Sequence, residues 1–237
     1  METHLFPLRC AVVGRGRIGS ALAAGLGLGE PLGRGADAAD ADIVLLAVPD
    51  GEIAAAAAAA VAPGRLVGHL SGATTLAPLA PHEAFSIHPL MTVTGGRTSF
   101  AGATAAVAGS TERALAIARA LAAHLGMRPF EVADADRAAY HAAASIASNF
   151  LVALEGAAER LAATAGVDRD AFVPLVRATL ENWAALGPEQ ALTGPIARGD
   201  DATVERQRAA VGQRCPELLP AWDALASLTR DLAAVRA

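Results

Sequence analysis

The chain has 237 residues, of which 53% are hydrophobic, and a formal net charge of −5 at pH 7. This length allows a large buried core in one or two domains. The acidic balance and the lack of long basic runs argue against a nucleic-acid-binding protein. No apolar run reaches the roughly 18 residues that a membrane-spanning helix needs, and the first ten residues lack the pattern of a secretory signal. We therefore expect a cytoplasmic protein without a membrane partner.

Two features of the composition limit the chemistry. The chain contains no lysine, so all 19 basic side chains are arginine. Neither a lysine Schiff base nor a lysine general acid is available. The two cysteines are too few for a disulfide framework. No group of cysteines and histidines has the spacing of metal ligands, so we predict no metal site.

The first part of the chain alternates between predicted strands and predicted helices. Helices are predicted over residues 17–26, 51–62 and 111–126. Apolar runs predict strands over residues 8–14, 42–49, 65–72, 84–90, 104–110 and 128–134. This alternation is typical of βαβ units, and it predicts an α/β fold with a Rossmann-like, mostly parallel sheet.

From residue 134 onward the sequence predicts helices alone. One long pattern without proline covers residues 134–166, and further helices are predicted over 168–185, 200–212 and 217–235. We therefore predict a dinucleotide-binding domain over residues 1–133 and an all-α substrate and dimerisation domain over 134–237. Because the alanine-rich helix allows close helix packing, we also expect a homodimer.

Residues 11–26, AVVGRGRIGSALAAGL, place three glycines between a predicted strand and a predicted helix. Gly14 would form the tight turn, Gly16 would let the backbone approach a pyrophosphate, and Gly19 would let helix and strand pack closely. The phosphates would rest on N–H groups at the N-terminus of the helix, where the helix dipole favours an anion. The predicted cofactor-binding residues of this turn are Gly14, Arg15, Gly16, Arg17, Ile18 and Gly19.

The residue after the second strand of a Rossmann fold decides which dinucleotide binds. An acidic residue there contacts the ribose 2′-OH of NAD, whereas an arginine meets the 2′-phosphate of NADP. Arg34 occupies this place and Arg15 could join it, so the sequence favours NADP(H) over NAD(H). The alternatives are that Asp37 takes the ribose role or that Arg34 is only solvated. The segment 27–41 is so short that the helix after this strand is expected to be nearly missing.

Other candidates lie where predicted strands end, because an open α/β sheet binds ligands at the carboxyl ends of its strands. Val48, Pro49 and Asp50 lie where one strand ends and are predicted to contact the cofactor. Ser71 lies at the end of the next strand, near the expected nicotinamide, where it would bind the cofactor and polarise or bind the substrate. The alternative for Ser71 is a turn-forming serine.

Hydride transfer to a C=O or C=N bond requires a proton donor near the developing charge. His88 is the first candidate for this donor. It ends the predicted strand SIHPL, and histidine titrates near neutral pH. The alternative is a histidine that hydrogen-bonds locally and shapes the loop. His69 lies inside a predicted strand and is expected to be structural.

The long helical pattern carries polar residues at a spacing that would place them on one face. We expect this face to line the active-site cleft, with Asn149 hydrogen-bonding the substrate and His141 or a bound water supplying the acid. Helix–helix hydrogen bonding in a dimer is the alternative. The row consists of His141, Ser145, Ser148, Asn149 and Val152.

The segment LTGPIARGDDATV, residues 192–204, combines a Gly-Pro turn, a basic residue and an N-cap signal before a helix. Arg198 could bind a substrate carboxylate with two hydrogen bonds. The alternatives are a salt bridge with Asp200 or Asp201, or a cap on a neighbouring helix.

Several segments together resemble one bacterial family of proteins assigned as oxidoreductases. That family joins a Rossmann-like NAD(P)-binding N-terminal half to a helical C-terminal domain of unknown function. More distantly, the chain is similar to the 6-phosphogluconate dehydrogenase-like reductases, which include pyrroline-5-carboxylate reductase and ketopantoate reductase. The resemblance covers about residues 8–230 and rests on GRGRIGSALA, LLAVPDGEI, HLSGATTLAPLA, SIHPLMT, YHAAASIASNFLVAL and LTGPIARGDDATV.

The resemblance implies a helical domain that closes the active-site cleft and often forms the dimer. It implies an NADP(H)-dependent oxidoreductase that transfers a hydride to or from a small carbonyl or imine acid. Related reductases often place a lysine and an asparagine on the long helix. In this chain Asn149 corresponds to the asparagine, and the lysine has no counterpart. The alternative is an NAD(P)-binding regulatory or sensor protein without turnover. A reduced deazaflavin as the hydride carrier is a third alternative.

Overall fold

A computed structural model describes residues 8–33, 35–36, 38–60, 64–93 and 98–235 of the chain. The chain forms two compact units, Met1–Ser148 and Asn149–Ala237. The sequence placed the boundary near residue 133. The segment between that residue and Ser148 instead belongs to the first unit, because its side chains pack on the strands of that unit.

The first unit contains one six-stranded sheet whose strands are neighbours in sequence order. Every adjacent pair is parallel except β4 and β5, which are antiparallel. The predicted strand runs therefore form the mostly parallel sheet of the predicted α/β class, which is confirmed. The strands are β1 (Cys10–Val13), β2 (Ile43–Leu46), β3 (Leu66–His69), β4 (Glu83–Leu90), β5 (Thr104–Gly109) and β6 (Arg128–Glu131).

Helices cover both faces of the sheet, which explains why β2 consists of four fully buried apolar residues. On one face, Leu22 of the first helix and Leu121 of the third pack against Phe85 and Ile87 of β4. On the other face, Ile53 of the second helix packs in a separate core cluster. The helices of this unit are α1 (Arg17–Gly25), α2 (Ile53–Ala60), α3 (Glu112–His124) and α4 (Arg137–Ser145).

A single residue stands where the second strand of a Rossmann fold would lie. Leu32 forms an isolated parallel bridge with Val13 of β1. Its N–H donates to the carbonyl of Val12 at 2.8 Å, and its carbonyl accepts from the N–H of Gly14 at 2.9 Å. Between this bridge and β2, the described residues form neither a helix nor a strand. The expected compression of the segment 27–41 is therefore present in the part that the structure describes.

β4 is longer than its parallel neighbour β3. The two strands pair from Glu83 to Ser86 of β4, and His69, the last residue of β3, lies opposite Ser86. β4 continues through Leu90 with β5 as its partner. Within the described residues, the last four residues of β4 have a strand on one side only.

The second unit is helical, as the sequence predicts. A π-helical segment, Ile146–Phe150, follows α4 directly in the chain. Within the unit, Arg208 of α8 forms two hydrogen bonds with Asp223 of α9, at 2.7 and 2.8 Å. Its helices are α5 (Leu151–Ala163), α6 (Val173–Leu186), α7 (Pro188–Ala191), α8 (Asp201–Arg214) and α9 (Leu219–Val235). None of the helices described in either unit is both long and apolar enough to cross a membrane.

Candidate functional site

The glycine turn joins β1 to α1, and two of its glycines leave no space for a side chain. Gly14 has a φ of +121°, a conformation that residues with a Cβ rarely adopt. A Cβ at Gly14 would overlap the carbonyl of Ala47, which follows β2, and a Cβ at Gly19 would overlap the carbonyl of Gly14. These contacts explain why glycine is needed where α1 packs against the ends of β1 and β2.

Gly16 differs from the other two glycines because the space beside its Cα is open. A Cβ built there would have no protein atom within 4 Å. Gly16 is the N-cap residue of α1, no side chain caps this helix, and its first turn, which includes Arg17 and Ile18, carries no acidic residue. An anion can therefore approach the N-terminus of α1. The turn fits the pyrophosphate of a dinucleotide.

A cavity of about 700 Å³ opens beside the N-terminal half of α1. Two arginines and no acidic residue are among its described lining residues, so the cavity can attract an anion. The polar residues that line it are Arg15, Arg17, Ser20, Thr98, Ser99 and His124.

Arg15 lies along the segment that leads to the predicted 2′-phosphate contact. Its Nε donates to the carbonyl of Pro31 at 3.1 Å, and a Cβ at Gly33 would lie 3.8 Å from its Cζ. Arg34 and Asp37 fall outside the described residues. The assignment of Arg34 to the 2′-phosphate therefore stays a prediction.

The predicted cofactor contacts after β2 lie next to the glycine turn, since the N–H of Ala47 donates to the carbonyl of Val13 at 2.7 Å. Val48 is partly buried, whereas Pro49 and Asp50 are exposed. Their position at the carboxyl end of β2 is the one that the sequence predicts.

Ser71 joins the end of β3 to Asp50. Its Oγ donates to Asp50 Oδ2 at 2.7 Å and accepts from the N–H groups of Ala73 and Thr74, at 3.2 and 2.9 Å. The hydroxyl therefore holds the turn after β3, and its proton is directed at a carboxylate. Both interpretations of Ser71 from the sequence are compatible with this geometry.

His69 is buried in β3 and hydrogen-bonded at both ring nitrogens. Nδ1 accepts from the N–H of Ser71 at 3.2 Å, so the proton lies on Nε2, 3.1 Å from the carbonyl of Thr75. Burial lowers the pKa of His69 to about 4. Near neutral pH it is an uncharged residue that fixes the position of Ser71.

A buried arginine, which the sequence analysis missed, connects two strands to the start of α4. Arg137 Nε donates to Asp134 Oδ1 at 2.7 Å, and Nη1 donates to the Ser71 carbonyl at 3.4 Å. Nη2 donates to Ser86 Oγ in β4. The side chain of Arg137 is only 3% exposed, against 43% for Asp134. This network holds residues 134–148 in the first unit.

Tyr140, which the sequence analysis also missed, contacts His88. The Nδ1 of His88 lies 2.7 Å from the Tyr140 hydroxyl oxygen, and the ring centroids of His88 and His141 are 5.9 Å apart. A Cβ on Gly72 would lie 2.8 Å from both imidazole rings. Burial, and then the nearby His141 and Arg137, lower the pKa of His88 to about 4. His88 is therefore neutral near pH 7.

The register of three strands explains where the Tyr140 ring lies. His88 of β4 lies opposite Ala106 of β5, and Ala106 lies opposite Phe130 of β6. The Tyr140 ring makes edge contacts with His88 and Phe130, with centroids 5.6 and 5.9 Å away. It therefore spans the small side chain of Ala106. Burial raises the pKa of Tyr140.

The predicted polar face of the long helix requires a correction. His141, Ser145 and Ser148 are partly buried, but Asn149 and Val152 are exposed. A π turn contains about one more residue than an α turn, and this rotates the residues beyond it. The π-helical segment over Ile146–Phe150 therefore breaks the helical spacing on which the prediction of one face depended.

Arg198 is an exposed residue of the second unit, at the end of a short 3₁₀ turn. The Asp200 carboxylate caps α8 and accepts from the N–H of Thr203 at 3.1 Å, as the N-cap signal predicts. The positive charge of Arg198 is one of the smaller causes that lower the pKa of Asp200. Among the residues described, no histidine, cysteine, aspartate and glutamate side chains are grouped as a metal site would need.

The spacing of the missed residues contains a signal that could have found them. Arg137, Tyr140 and His141 lie at i, i+3 and i+4, the spacing of one helix face, and Tyr140 is the single tyrosine of the chain. Their partners on the sheet are what the sequence does not show.

The sequence matches the model of one protein family, the domain of unknown function DUF2520, over residues 103–229. This match covers more than half of the chain. A search of curated proteins finds no significant match.

Several solved structures share the fold. A Thermotoga maritima protein is 23% identical, with 95% of this chain and 98% of that chain covered and a TM-score of 0.80. A Bacteroides fragilis protein, provisionally assigned as an NADP oxidoreductase, is 18% identical, with coverages of 94% and 97% and a TM-score of 0.79. The reductive aminase of Aspergillus terreus, solved with NADPH and ethyl levulinate, is 16% identical, with coverages of 97% and 98% and a TM-score of 0.68.

Proposed function

The chain belongs to the DUF2520 family. From the geometry of the glycine turn we propose that it is an NADP(H)-dependent oxidoreductase. Its reaction would be hydride transfer to or from a small carbonyl or imine acid. The observation that carries the proposal is the contrast within the turn: Gly14 and Gly19 are packed against backbone, whereas Gly16 is open to an approaching anion.

The cofactor would be held at the carboxyl ends of β1, β2 and β3. Backbone N–H groups of residues 15–19 would bind the pyrophosphate, and Arg15 and Arg34 would bind the 2′-phosphate. Val48, Pro49, Asp50 and Ser71 would contact the ribose and nicotinamide. The nicotinamide supplies the hydride. The Bacteroides fragilis and Aspergillus terreus proteins support the choice of NADP(H), since the first is provisionally assigned as an NADP oxidoreductase and the second was solved with NADPH.

The substrate would contact His88, His141 and Ser71. Asn149 and Arg198 belong to the second unit, and their roles as a hydrogen-bond donor and as the partner of a carboxylate stay predictions. The low pKa of His88 changes the role first predicted for it. A neutral imidazole is a poor acid, so we assign His88 the role of a hydrogen-bonding partner at the site.

A homodimer is part of the proposal. The second unit exposes large apolar side chains on its helices, among them Leu175 at 62% and Trp183 at 58% on α6, and Leu228 at 64% on α9. Apolar surface of this kind is typical of an interface between subunits.

The test of the cofactor site is a titration with NADPH and NADH, followed by the change in nicotinamide fluorescence. We expect tighter binding of NADPH, and replacing Gly16 by Ala should weaken it by about tenfold or more because a Cβ would meet the pyrophosphate. The variant should fold normally, since the new Cβ has no protein atom within 4 Å.

Gly156→Ala is the matched control, because a Cβ at this glycine of α5 also has open space, and we expect no change in NADPH affinity. Failure of the wild-type protein to bind either nucleotide would remove the proposal. Tighter binding of NADH would contradict the role given to Arg34.

An NAD(P)-binding sensor without turnover is the second candidate. The reduction of one Rossmann strand to the Leu32 bridge and the lack of any lysine favour it. NADPH that binds but is not oxidised with any compound in a panel of cyclic imino acids and 2-oxo acids would support this candidate. The third alternative, a reduced deazaflavin as the hydride carrier, is tested by a parallel titration with that cofactor.

A further inference from the structure

We propose that Tyr140 is the residue that gives the proton to the substrate, and that His88 donates a hydrogen bond to the phenolic oxygen of Tyr140 to hold it. This inference rests on the proposed function and deepens it. It assigns a catalytic role to a side chain at which the sequence predicted none.

The contact between His88 and Tyr140 allows two arrangements of protons. With 2.7 Å between His88 Nδ1 and the Tyr140 oxygen, either group can be the donor. If the phenol donates to Nδ1, its proton is directed at His88 and away from a ligand. If Nδ1 carries the proton and donates, the phenolic O–H is available to a substrate. The proposal assigns the second arrangement.

Three other polar groups of this cluster already have hydrogen-bond partners. Asp50 accepts from Ser71, and Asp134 accepts from Arg137. His69 is hydrogen-bonded at both nitrogens. In the described part of this cluster, the partly exposed phenol is a weak acid that stays protonated near neutral pH and has hydrogen-bonding capacity left.

Two neighbouring groups act in favour of the phenolate that remains after the proton has left. An N–H donor at His88 would stabilise the oxygen anion directly. The positive charge of Arg137, one helical turn earlier, acts on Tyr140 in the same direction, although burial has the larger and opposite effect. The edge contacts with His88 and Phe130 hold the ring in place.

The step balances as follows in the direction of reduction. The substrate carbon accepts a hydride from the reduced nicotinamide, which is the reductant of the proposed function. The O–H bond of Tyr140 breaks while a new O–H or N–H bond forms on the substrate. The Tyr140 phenolate then takes a proton from water, and the site returns to its starting state.

The direction of the hydrogen bond can be measured because Tyr140 is the only tyrosine in the chain. A titration of the near-ultraviolet tyrosinate absorbance reports the pKa of this one group. Its titratable and charged neighbours are His88 on β4 and Arg137 and His141 on α4, while Phe130 on β6 is uncharged.

In His88→Leu, the loss of a donor to the phenolate should raise the pKa of Tyr140 by about one unit. His141→Leu is the matched control, since it removes a neighbouring imidazole that has no hydrogen bond to Tyr140 in the structure, and it should shift the pKa clearly less. A lower pKa in His88→Leu means that the phenol is the donor to His88, and this result overturns the proposal.

The second measurement uses Tyr140→Phe, which keeps the ring and removes the hydroxyl. We expect NADPH affinity within about twofold of wild type and a fall of about 100-fold or more in NADPH oxidation with the imino acid and 2-oxo acid panel. Turnover retained in Tyr140→Phe overturns the proton-donor role while leaving the oxidoreductase intact.

The role of Tyr140 can fail while the proposed function stands, and the measurements distinguish the two cases. A wild-type protein that does not bind NADPH, or binds it without turnover, overturns the proposed function and the role of Tyr140 with it. Turnover that survives in Tyr140→Phe overturns only the role of Tyr140.

Discussion

Arg137 illustrates how one buried side chain organises the site. Its guanidinium contacts an aspartate, a serine hydroxyl and a backbone carbonyl that come from three separate segments of the chain. Removing it would leave the hydroxyl of Ser86 and the carbonyl of Ser71 without this partner in a buried place. Such losses are much more costly than the loss of a surface ion pair.

We expect Arg137→Leu to lower the free energy of unfolding by about 3 kcal/mol, measured by urea denaturation. Arg119→Leu is the control, because Arg119 and its partner Glu131 are both half-exposed and such pairs contribute about 1 kcal/mol or less. Equal losses in the two variants would show that the buried network contributes no more than a surface pair.

At the scale of residues, the sequence was sufficient for the glycine turn and insufficient for the polar cluster. The spacing of Gly14, Gly16 and Gly19 is local, and so is the geometry it requires. Tyr140 and Arg137 meet partners that lie 52 and 51 residues earlier. Finding them requires the register of β3 and β4, which a pattern of apolar residues does not determine.

At the scale of elements, one face of β3 and β4 changes character along its length. Val67 and Ala84 belong to an apolar core cluster. Two residues further along each strand, on the same face, lie His69 and Ser86, and then His88. The apolar part of this face stabilises the sheet, and the polar part carries the candidate chemistry.

This polar face predicts a dependence of stability on pH. In the unfolded chain a histidine binds a proton below about pH 6.5, whereas His69 and His88 have folded-state pKa values of about 4. The unfolded state therefore binds more protons between these values. We expect stability to be complete above about pH 6.5 and to fall as the pH decreases toward 4.

The measurement is urea denaturation at a series of pH values in this range. His88→Leu should show a shallower loss of stability than the wild-type protein, because one of the two histidines with a low pKa no longer contributes. An unchanged slope would contradict the low pKa of His88.

The strands and most helices could be predicted because their apolar periodicity is local. The π-helical segment over Ile146–Phe150 could not, since one additional residue in a turn leaves no mark in an alanine-rich pattern. The reduction of the second Rossmann strand to a single bridge at Leu32, within the described residues, could not be predicted either.

At the scale of the whole molecule, the sequence predicted the α/β class and the all-α second part. The boundary moved from residue 133 to Ser148, because side chains of α4 bind the ends of strands in the first unit. Helical texture alone cannot show which core a helix joins.

The exposed apolar residues of the second unit predict self-association. We expect light scattering to give the mass of a dimer, and Trp183→Glu to shift the protein toward the monomer because a charge would be buried in the interface. Arg177→Glu, a charge reversal on the same helix, is a control for general electrostatic effects. A wild-type monomer at all concentrations would contradict the prediction.

The unequal lengths of β3 and β4 have a consequence for solubility. The last four residues of β4 lack a strand partner on one side within the described residues, and an open strand edge invites pairing with another chain. Pro89 lies in this stretch and has no N–H to offer to an incoming strand. The proline of the His-Pro pair therefore leaves an added strand one backbone donor fewer at the place where β4 extends past its neighbour, and Pro89 is itself buried.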